Sequence, residues 1–267
     1  MFHILDGEKL AQKFIQYLQN EVKNLPAKPH LLVLMVGKNR ASQIFVRKKG
    51  KICRMLGINF SLKIIRAPFS TKRVCQILGL AIKQKKPHGV VVQLPLPKGV
   101  NTDQVLKCIP KEMDVEGFNN HAIVSPVALG IVTLLTEYKI TIKGRKIAVV
   151  GAGKLVGRPT ARLMKRLGAK VKIYDQDVKN LAGHLREADI IISGVGKPHL
   201  IQGTMIKRGA VVVDAGTSLQ AGKILGDVDV TSAREKASFF APVPGGVGPM
   251  TVVMLLMNLV ELVKKIK

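Results

Sequence analysis

The chain has 267 residues, 47% of them hydrophobic, which suits two small domains or one large one with a buried core. Its 43 Lys and Arg against 17 Asp and Glu leave a formal charge of +26, a balance that attracts polyanions such as nucleic acid, nucleotide phosphates or a polycarboxylate substrate. No apolar run reaches the roughly 20 residues of a membrane span, the opening MFHILDGEKL lacks a signal-peptide pattern, and a soluble cytoplasmic protein without a membrane role is expected.

In chain order, Leu10, Phe14, Ile15, Leu18, Val22 and Leu25 recur at helical spacing and predict a helix over 8–25. A strand is expected at 31–36, then a helix over 40–56 that Gly57 terminates. A second strand follows at 60–65. The next helix has Ser70 or Thr71 as its N-cap, and residues 89–94 (GVVVQL) read as a fully buried third strand. Short β-branched runs separated by helices imply right-handed crossovers and parallel sheet.

A second series begins after Gly130, with a helix over 131–138 and a strand at 146–150. A glycine-rich turn leads to a helix ending near Leu167, a strand at 170–174, and further strands at 189–193, 210–214 and near Val228. The last segment, 250–266, is a broad apolar helix with Pro249 in its first turn. The fold class expected is α/β in two lobes, residues 1–138 and a Rossmann-like 139–248, with the helix 249–267 packing back between them and a cleft as the ligand site.

Cys53, Cys75 and Cys108 are odd in number and lack metal-ligand spacing, so they read as reduced packing cysteines and no metal is expected. The lysines are spread along the chain, as in Arg47-Lys48-Lys49, Lys83-Gln84-Lys85-Lys86 and Lys264-Lys265, where solvated helix faces account for them. With no Trp, three Tyr and eight Phe, a base-stacking platform is poorly supplied, so a nucleic-acid partner is disfavoured, although the charge leaves that option open.

Val149-Val150 runs directly into Gly151-Ala152-Gly153-Lys154-Leu155-Val156-Gly157. Strand, glycine turn and helix are the context of a dinucleotide site: Gly151 permits the turn, Gly153 lets a pyrophosphate approach, and the helix N-terminus supplies N–H groups. The bland alternative is a turn that needs glycine for steric reasons alone. Asp175 ends the following strand, where a carboxylate bonds the adenosine ribose and repels a 2′-phosphate; this favours NAD over NADP. A turn or N-cap aspartate is the alternative there, and Lys154 and Arg158 are close enough in sequence to compensate a phosphate.

Several stretches together resemble one family, the bifunctional methylenetetrahydrofolate dehydrogenase/cyclohydrolases. They are Val36-Gly37 through Ala41-Ser42 to Lys49 and Lys51, Gln93-Leu94-Pro95-Leu96-Pro97, and Pro242-Val243-Pro244-Gly245-Gly246-Val247-Gly248-Pro249-Met250-Thr251. Val156-Gly157-Arg158-Pro159, Gly196-Lys197-Pro198 and Gly226-Asp227-Val228 add to them. The resemblance implies an N-terminal folate lobe, a C-terminal NAD(P) lobe and a homodimer. It also implies oxidation of 5,10-methylenetetrahydrofolate followed by hydrolysis to 10-formyltetrahydrofolate. It places the catalytic lysine at Lys49, with Gln93 and Glu116 beside it, Ser42, Phe45, Pro244, Gly245 and Gly246 on substrate, and Gly151, Gly153, Lys154, Gly157 and Gly196 on cofactor, where Asp175 joins them by its position at the strand end. Positions 42, 45 and 49 share one helix face. From the residues alone, Lys49 reads as a solvated helix lysine and Gln93 as a polar strand end.

Three departures from the family pattern bear on chemistry. Phe45 stands where the family has tyrosine, so the hydroxyl is lost. In Asp114-Val115-Glu116-Gly117 the family's second aspartate is a glutamate, one methylene longer. Gly151-Ala152-Gly153 and Asp175-Gln176-Asp177-Val178 lack the family's arginine and serine contacts to a 2′-phosphate, which again leans towards NAD. Two rival readings stay open: a dehydrogenase with weak hydrolysis, and a catalytically idle relative that binds nucleotide or nucleic acid through its basic surface.

Overall fold

The computed structural model describes residues 2–266. In chain order its elements are β1 (His3–Ile4), α1 (Gly7–Lys23), β2 (His30–Val36), α2 (Arg40–Met55), β3 (Asn59–Ile65), α3 (Thr71–Lys85), β4 (Gly89–Gln93) and α4 (Thr102–Lys107). Then come α5 (Pro126–Glu137), β5 (Lys146–Val150), α6 (Gly157–Arg166), β6 (Lys170–Tyr174), α7 (Leu181–Arg186), β7 (Ile190–Ser193) and β8 (Val211–Asp214). The chain finishes with β9 (Ser218–Gln220), β10 (Lys223–Leu225), α8 (Val230–Ala233), β11 (Phe239–Ala241) and α9 (Val247–Lys264).

Two compact units result: one from Lys13–Ser125 with the chain from Leu255 on, the other from the residues up to Gln12 with Pro126–Met254. The division falls inside α1 and α9, and it assigns α5 to the second unit rather than ending the first at residue 138. The reason is packing: α5 carries Gly130, and a Cβ there would meet the backbone and Cβ of Met250 in the same unit. α9 is long and apolar enough by itself to cross a bilayer, yet Val252, Val253, Leu255, Leu256 and Leu259 are buried in protein.

The first unit holds a parallel sheet in the order β3-β2-β4, with β2 central. Six of the seven β2 residues are buried, as expected for a parallel strand covered on both faces. Asn39 caps α2 by accepting from the Ser42 amide at 2.8 Å, and Ser70 caps α3 by accepting from Arg73 at 3.2 Å. Gly50 lets α2 lie close to β3, since a Cβ there would stand 3.1 Å from the Phe60 ring.

The second unit is a six-stranded parallel sheet in the order β1-β11-β8-β7-β5-β6. β7 and β8 are wholly buried along their length. The chain leaves β5 for β6 on one side and returns to β7 on the other, so the topological switch point lies at the carboxyl ends of β5 and β7. β1 and β11, two and three residues long, are too short to leave a periodic signal.

Two expectations need correction. Near Val228 there is only an isolated bridge to Ile201, because the N–H groups of Asp227 and Val228 donate to the Asp214 carboxylate instead of entering a ladder. Cys75 and Cys108 are joined as a disulfide, with Cα atoms 6.0 Å apart where α3 packs beside α4; only Cys53 is a free, buried thiol.

Asn258 on α9 ties two segments of the first unit, donating from Nδ2 to the carbonyls of Val115 and Val124, both at 2.9 Å. Asn258→Ala leaves both buried carbonyls short of a donor and should cost about 1–3 kcal/mol in urea unfolding. A loss below about 0.5 kcal/mol would mean that water replaces the amide.

Candidate functional site

In the first unit the side chains converge at the carboxyl ends of β2 and β4. α2 follows β2 and presents Ser42, Phe45 and Lys49 on one stripe, with Ser42 and Lys49 buried and Phe45 half-buried. Lys49 is only 6% exposed. Its Nζ donates to Oε1 of Gln93 at 2.7 Å, and Gln93 Nε2 donates to the Leu94 carbonyl at 2.9 Å. Ser42 Oγ donates to the same carbonyl at 3.2 Å. The Leu94 carbonyl thus fixes which way the Gln93 amide faces, so an acceptor meets the lysine.

Glu116 completes this cluster. It sits on a loop whose backbone is gathered by one buried carboxylate. Asp114, fully buried, accepts from the amides of Glu116 (3.0 Å) and Gly117 (2.9 Å) at Oδ1, and from Asn119 (2.5 Å) and Asn120 (3.1 Å) at Oδ2. Asn119 in turn donates to the carbonyls of Leu106 and Ile109. Oε2 of Glu116 is buried with no hydrogen-bond partner among the described residues.

Burial of the ammonium lowers the pKa of Lys49, with the Glu116 carboxylate and then Cys53 opposing the shift. Burial pushes Glu116 up to about 7; Lys49 opposes that rise and Asp114 adds to it. An amine that loses its proton easily and an acid that keeps one near neutrality form a pair able to exchange protons with a substrate.

In the second unit the glycine turn follows β5. Gly151 takes φ +96° and donates to the Tyr174 carbonyl at 2.7 Å. A Cβ at Gly157 would overlap the Gly151 carbonyl oxygen, whereas one at Gly153 would point into open space. No side chain caps α6 at Val156, so its N-terminus, the turn and exposed Lys154 leave a cradle suited to a diphosphate. Gly196 lies on the loop after β7, and a Cβ on Gly151 would stand 3.2 Å from the Gly194 carbonyl beside it. Asp175 is exposed at the end of β6 and accepts from the Gln176 amide at 2.9 Å.

Pro244, Gly245 and Gly246 belong to this second unit, at the start of α9. The Gly245 carbonyl accepts from the Glu8 amide at 3.1 Å, Gly246 donates to Pro242 at 2.8 Å, and the Val243–Pro244 bond is cis. The structure therefore brings Ser42, Phe45, Lys49, Gln93 and Glu116 together in one unit, and Gly151, Gly153, Lys154, Gly157 and Gly196 in the other. Sequence reasoning missed Asp114, Ser193, Asp214 and Asp227. The last three form a buried group below the Gly196 loop, where burial pushes Asp214 up to about 6 against the hydrogen bonds it accepts from Val228 and Asp227. The available signal was a polar residue closing an all-apolar strand, as in Ile190–Ser193 and Val211–Asp214.

The family model of the tetrahydrofolate dehydrogenase/cyclohydrolase catalytic domain matches residues 5–116, and that of its NAD(P)-binding domain matches residues 125–267. The bifunctional protein FolD of Aquifex aeolicus is 40% identical over 277 residues, covering 98% of this chain and 95% of its own. Among solved structures, the bifunctional FolD of Campylobacter jejuni superposes with a TM-score of 0.92 at 34% identity over 99% of each chain. The Trypanosoma brucei dehydrogenase-cyclohydrolase, complexed with NADP cofactor and inhibitor, gives 0.90 at 30% identity over 97% of this chain and 96% of that one.

The raised pKa of Glu116 has a consequence for stability. An acid that binds its proton more tightly when folded contributes stability at low pH, and that contribution fades as pH rises from the ordinary carboxylate range to about 7. Glu116→Gln removes the ionisation, so its melting temperature relative to the parent should be more favourable at pH 8 than at pH 5. A difference independent of pH would show that the carboxyl titrates as if exposed.

Proposed function

This chain belongs to the tetrahydrofolate dehydrogenase/cyclohydrolase family, and we propose that it oxidises 5,10-methylenetetrahydrofolate with a nicotinamide dinucleotide and hydrolyses the methenyl product. The observation that carries this reading is the buried Lys49, bonded to Gln93 and attracted by the charge of Glu116, whose buried Oε2 has no hydrogen-bond partner among the described residues.

The dinucleotide, when bound, accepts the hydride that leaves the methylene carbon. The glycine turn and the α6 N-terminus would hold its diphosphate, with Lys154 and Gly196 nearby. Glu116 would accept from the N–H groups of the pterin, which would satisfy its buried Oε2. Ser42 and Phe45 line the same helix face, and the Phe45 ring can lie against an aromatic ring of the substrate. Pro244, Gly245 and Gly246 supply a substrate-binding turn in the same reading.

In the hydrolytic half-reaction the oxygen of water adds to the methenyl carbon while one of its protons passes to Lys49 Nζ. The bond from that carbon to N5 then breaks as the new hydroxyl proton moves to N5, leaving 10-formyltetrahydrofolate and one proton to release. Burial prepares Lys49 for this by favouring its neutral form. Gln93 keeps Nζ aimed through an oxygen acceptor, which serves the amine in either protonation state. Phe45 offers no hydroxyl, so proton movement falls to Lys49 and Glu116.

The exposed carboxylates of Asp175 and Asp177 at the end of β6 support a preference for NAD, since a 2′-phosphate would meet negative charge there. The family resemblance also supports a homodimer, which sedimentation would test. Purified protein given 5,10-methylenetetrahydrofolate should turn over with a higher kcat/KM for NAD than for NADP, and a higher value for NADP would overturn the role of Asp175. Lys49→Met should lower the hydrolysis of methenyl substrate by about 100-fold or more, with the protein still folded. Methenyl build-up in the parent enzyme would instead identify it as a dehydrogenase with impaired hydrolysis.

A further inference from the structure

We propose that Asp227 is a positioning residue for the dinucleotide, setting the loop 194–198 against the glycine turn and leaving the backbone of that loop only carbonyls to offer a ligand. The inference rests on the dinucleotide reading of the second unit.

Asp227 is fully buried. Its Oδ2 accepts from Ser193 Oγ and the Val195 amide, both at 2.7 Å, and its Oδ1 accepts from the amides of Gly196 (2.9 Å) and Lys197 (2.8 Å). Two bonds per oxygen, three of them to consecutive backbone N–H groups, fix the path of the loop. Glycine is required at position 216, where a Cβ would overlap the Asp227 carboxylate.

The carboxylate is itself held from behind. Asp214 accepts from the amides of Gly216 (3.0 Å), Asp227 (3.1 Å) and Val228 (2.9 Å), so the 215–226 segment with its β9–β10 hairpin is closed onto one anchor. From the hairpin, Ser218 Oγ donates to the Gly196 carbonyl at 2.6 Å. Gly196 is therefore fixed at its N–H by Asp227 and at its carbonyl by Ser218.

The loop and the glycine turn form one piece. Gly194 donates to the Val150 carbonyl at 3.0 Å, and a Cβ on Gly194 would overlap the Val156 side chain that precedes α6. A displacement of the loop would shift the wall of the cradle at the switch point of the sheet.

The chemistry of that wall follows from where the N–H groups go. Those of Gly194, Val195, Gly196 and Lys197 are all spent inside the protein. The loop cannot serve as a phosphate nest; it can receive donors such as a carboxamide NH2, or the face of a ring. Phosphate is left to the α6 N-terminus, where N–H groups lack a side-chain cap. The two ends of a nicotinamide dinucleotide would thus be sorted by which backbone groups each segment still has free.

The test uses the full-length enzyme and its two separable activities. Asp227→Asn keeps the shape but turns an amide donor towards amide donors. It should raise the KM for the dinucleotide by about 10-fold or more, while hydrolysis of methenyl substrate, assayed without dinucleotide, stays within about two-fold. Should Asp227→Asn fail to fold, Ser218→Ala frees only the Gly196 carbonyl and should raise the same KM by about three-fold or more, with hydrolysis unchanged. A folded Asp227→Asn enzyme with the parent's dinucleotide KM, or a parallel loss of both activities, overturns the inference while the dehydrogenase reading stands. A parent that hydrolyses methenyl substrate but shows no dinucleotide-dependent oxidation would overturn both.

Discussion

Asp114 in one unit and Asp227 in the other each stand fully buried and each accept four hydrogen bonds, seven of the eight from backbone N–H groups. The need they meet is general to parallel sheets. Loops at the carboxyl ends of the strands must be irregular to hold a ligand, yet irregular backbone has no ladder to satisfy its donors. Burying a charge is costly unless it is fully hydrogen-bonded, and here the loop supplies the bonds. The outcome in the first unit is a fixed Glu116, and in the second a fixed Gly196.

The proposed reactive pair depends on that arrangement. Lys49 and Glu116 are both withdrawn from water, and burial moves their proton affinities towards each other. Where the family pattern has a tyrosine and an aspartate, this chain has Phe45 and the longer Glu116. A hydroxyl has been lost and a carboxylate has gained reach. In the proposed mechanism these two departures are linked: the carboxylate, held by Asp114 and beside Lys49, is the group left to share the proton traffic of hydrolysis.

Much of the scaffold was legible in the sequence. Helical spacing located α1, the Gly57 terminator and the Ser70 cap marked α2 and α3, and short apolar runs located β2, β4, β5, β7 and β8, because core burial and chain ends each write a local signal into the sequence. Short elements left no such trace: β1 and β11 exist through pairing with strands distant in sequence, and β9 and β10 are three residues each, paired only with one another. Lys49 carried a signal that residue type concealed, since it lies three positions after buried Val46 and four before buried Cys53, squarely on the core stripe of α2. The buried aspartates were opaque for another reason. An Asp in a loop usually caps a turn, and only the three-dimensional count of donors shows Asp114 and Asp227 as anchors. The Cys75–Cys108 bridge was equally hidden, because a separation of 33 residues says nothing until α3 and α4 are packed.

If a buried Lys49–Glu116 pair carries the proton in hydrolysis, as proposed, the pH dependence of kcat/KM for methenyl hydrolysis will report its titration. With Glu116 raised to about 7 and Lys49 lowered, the rate should climb as pH rises through neutrality, when the pair gives up its extra proton and a base becomes available. A profile flat from pH 5.5 to 8.5, or one governed by an ordinary carboxylate near pH 4.5, would contradict the account.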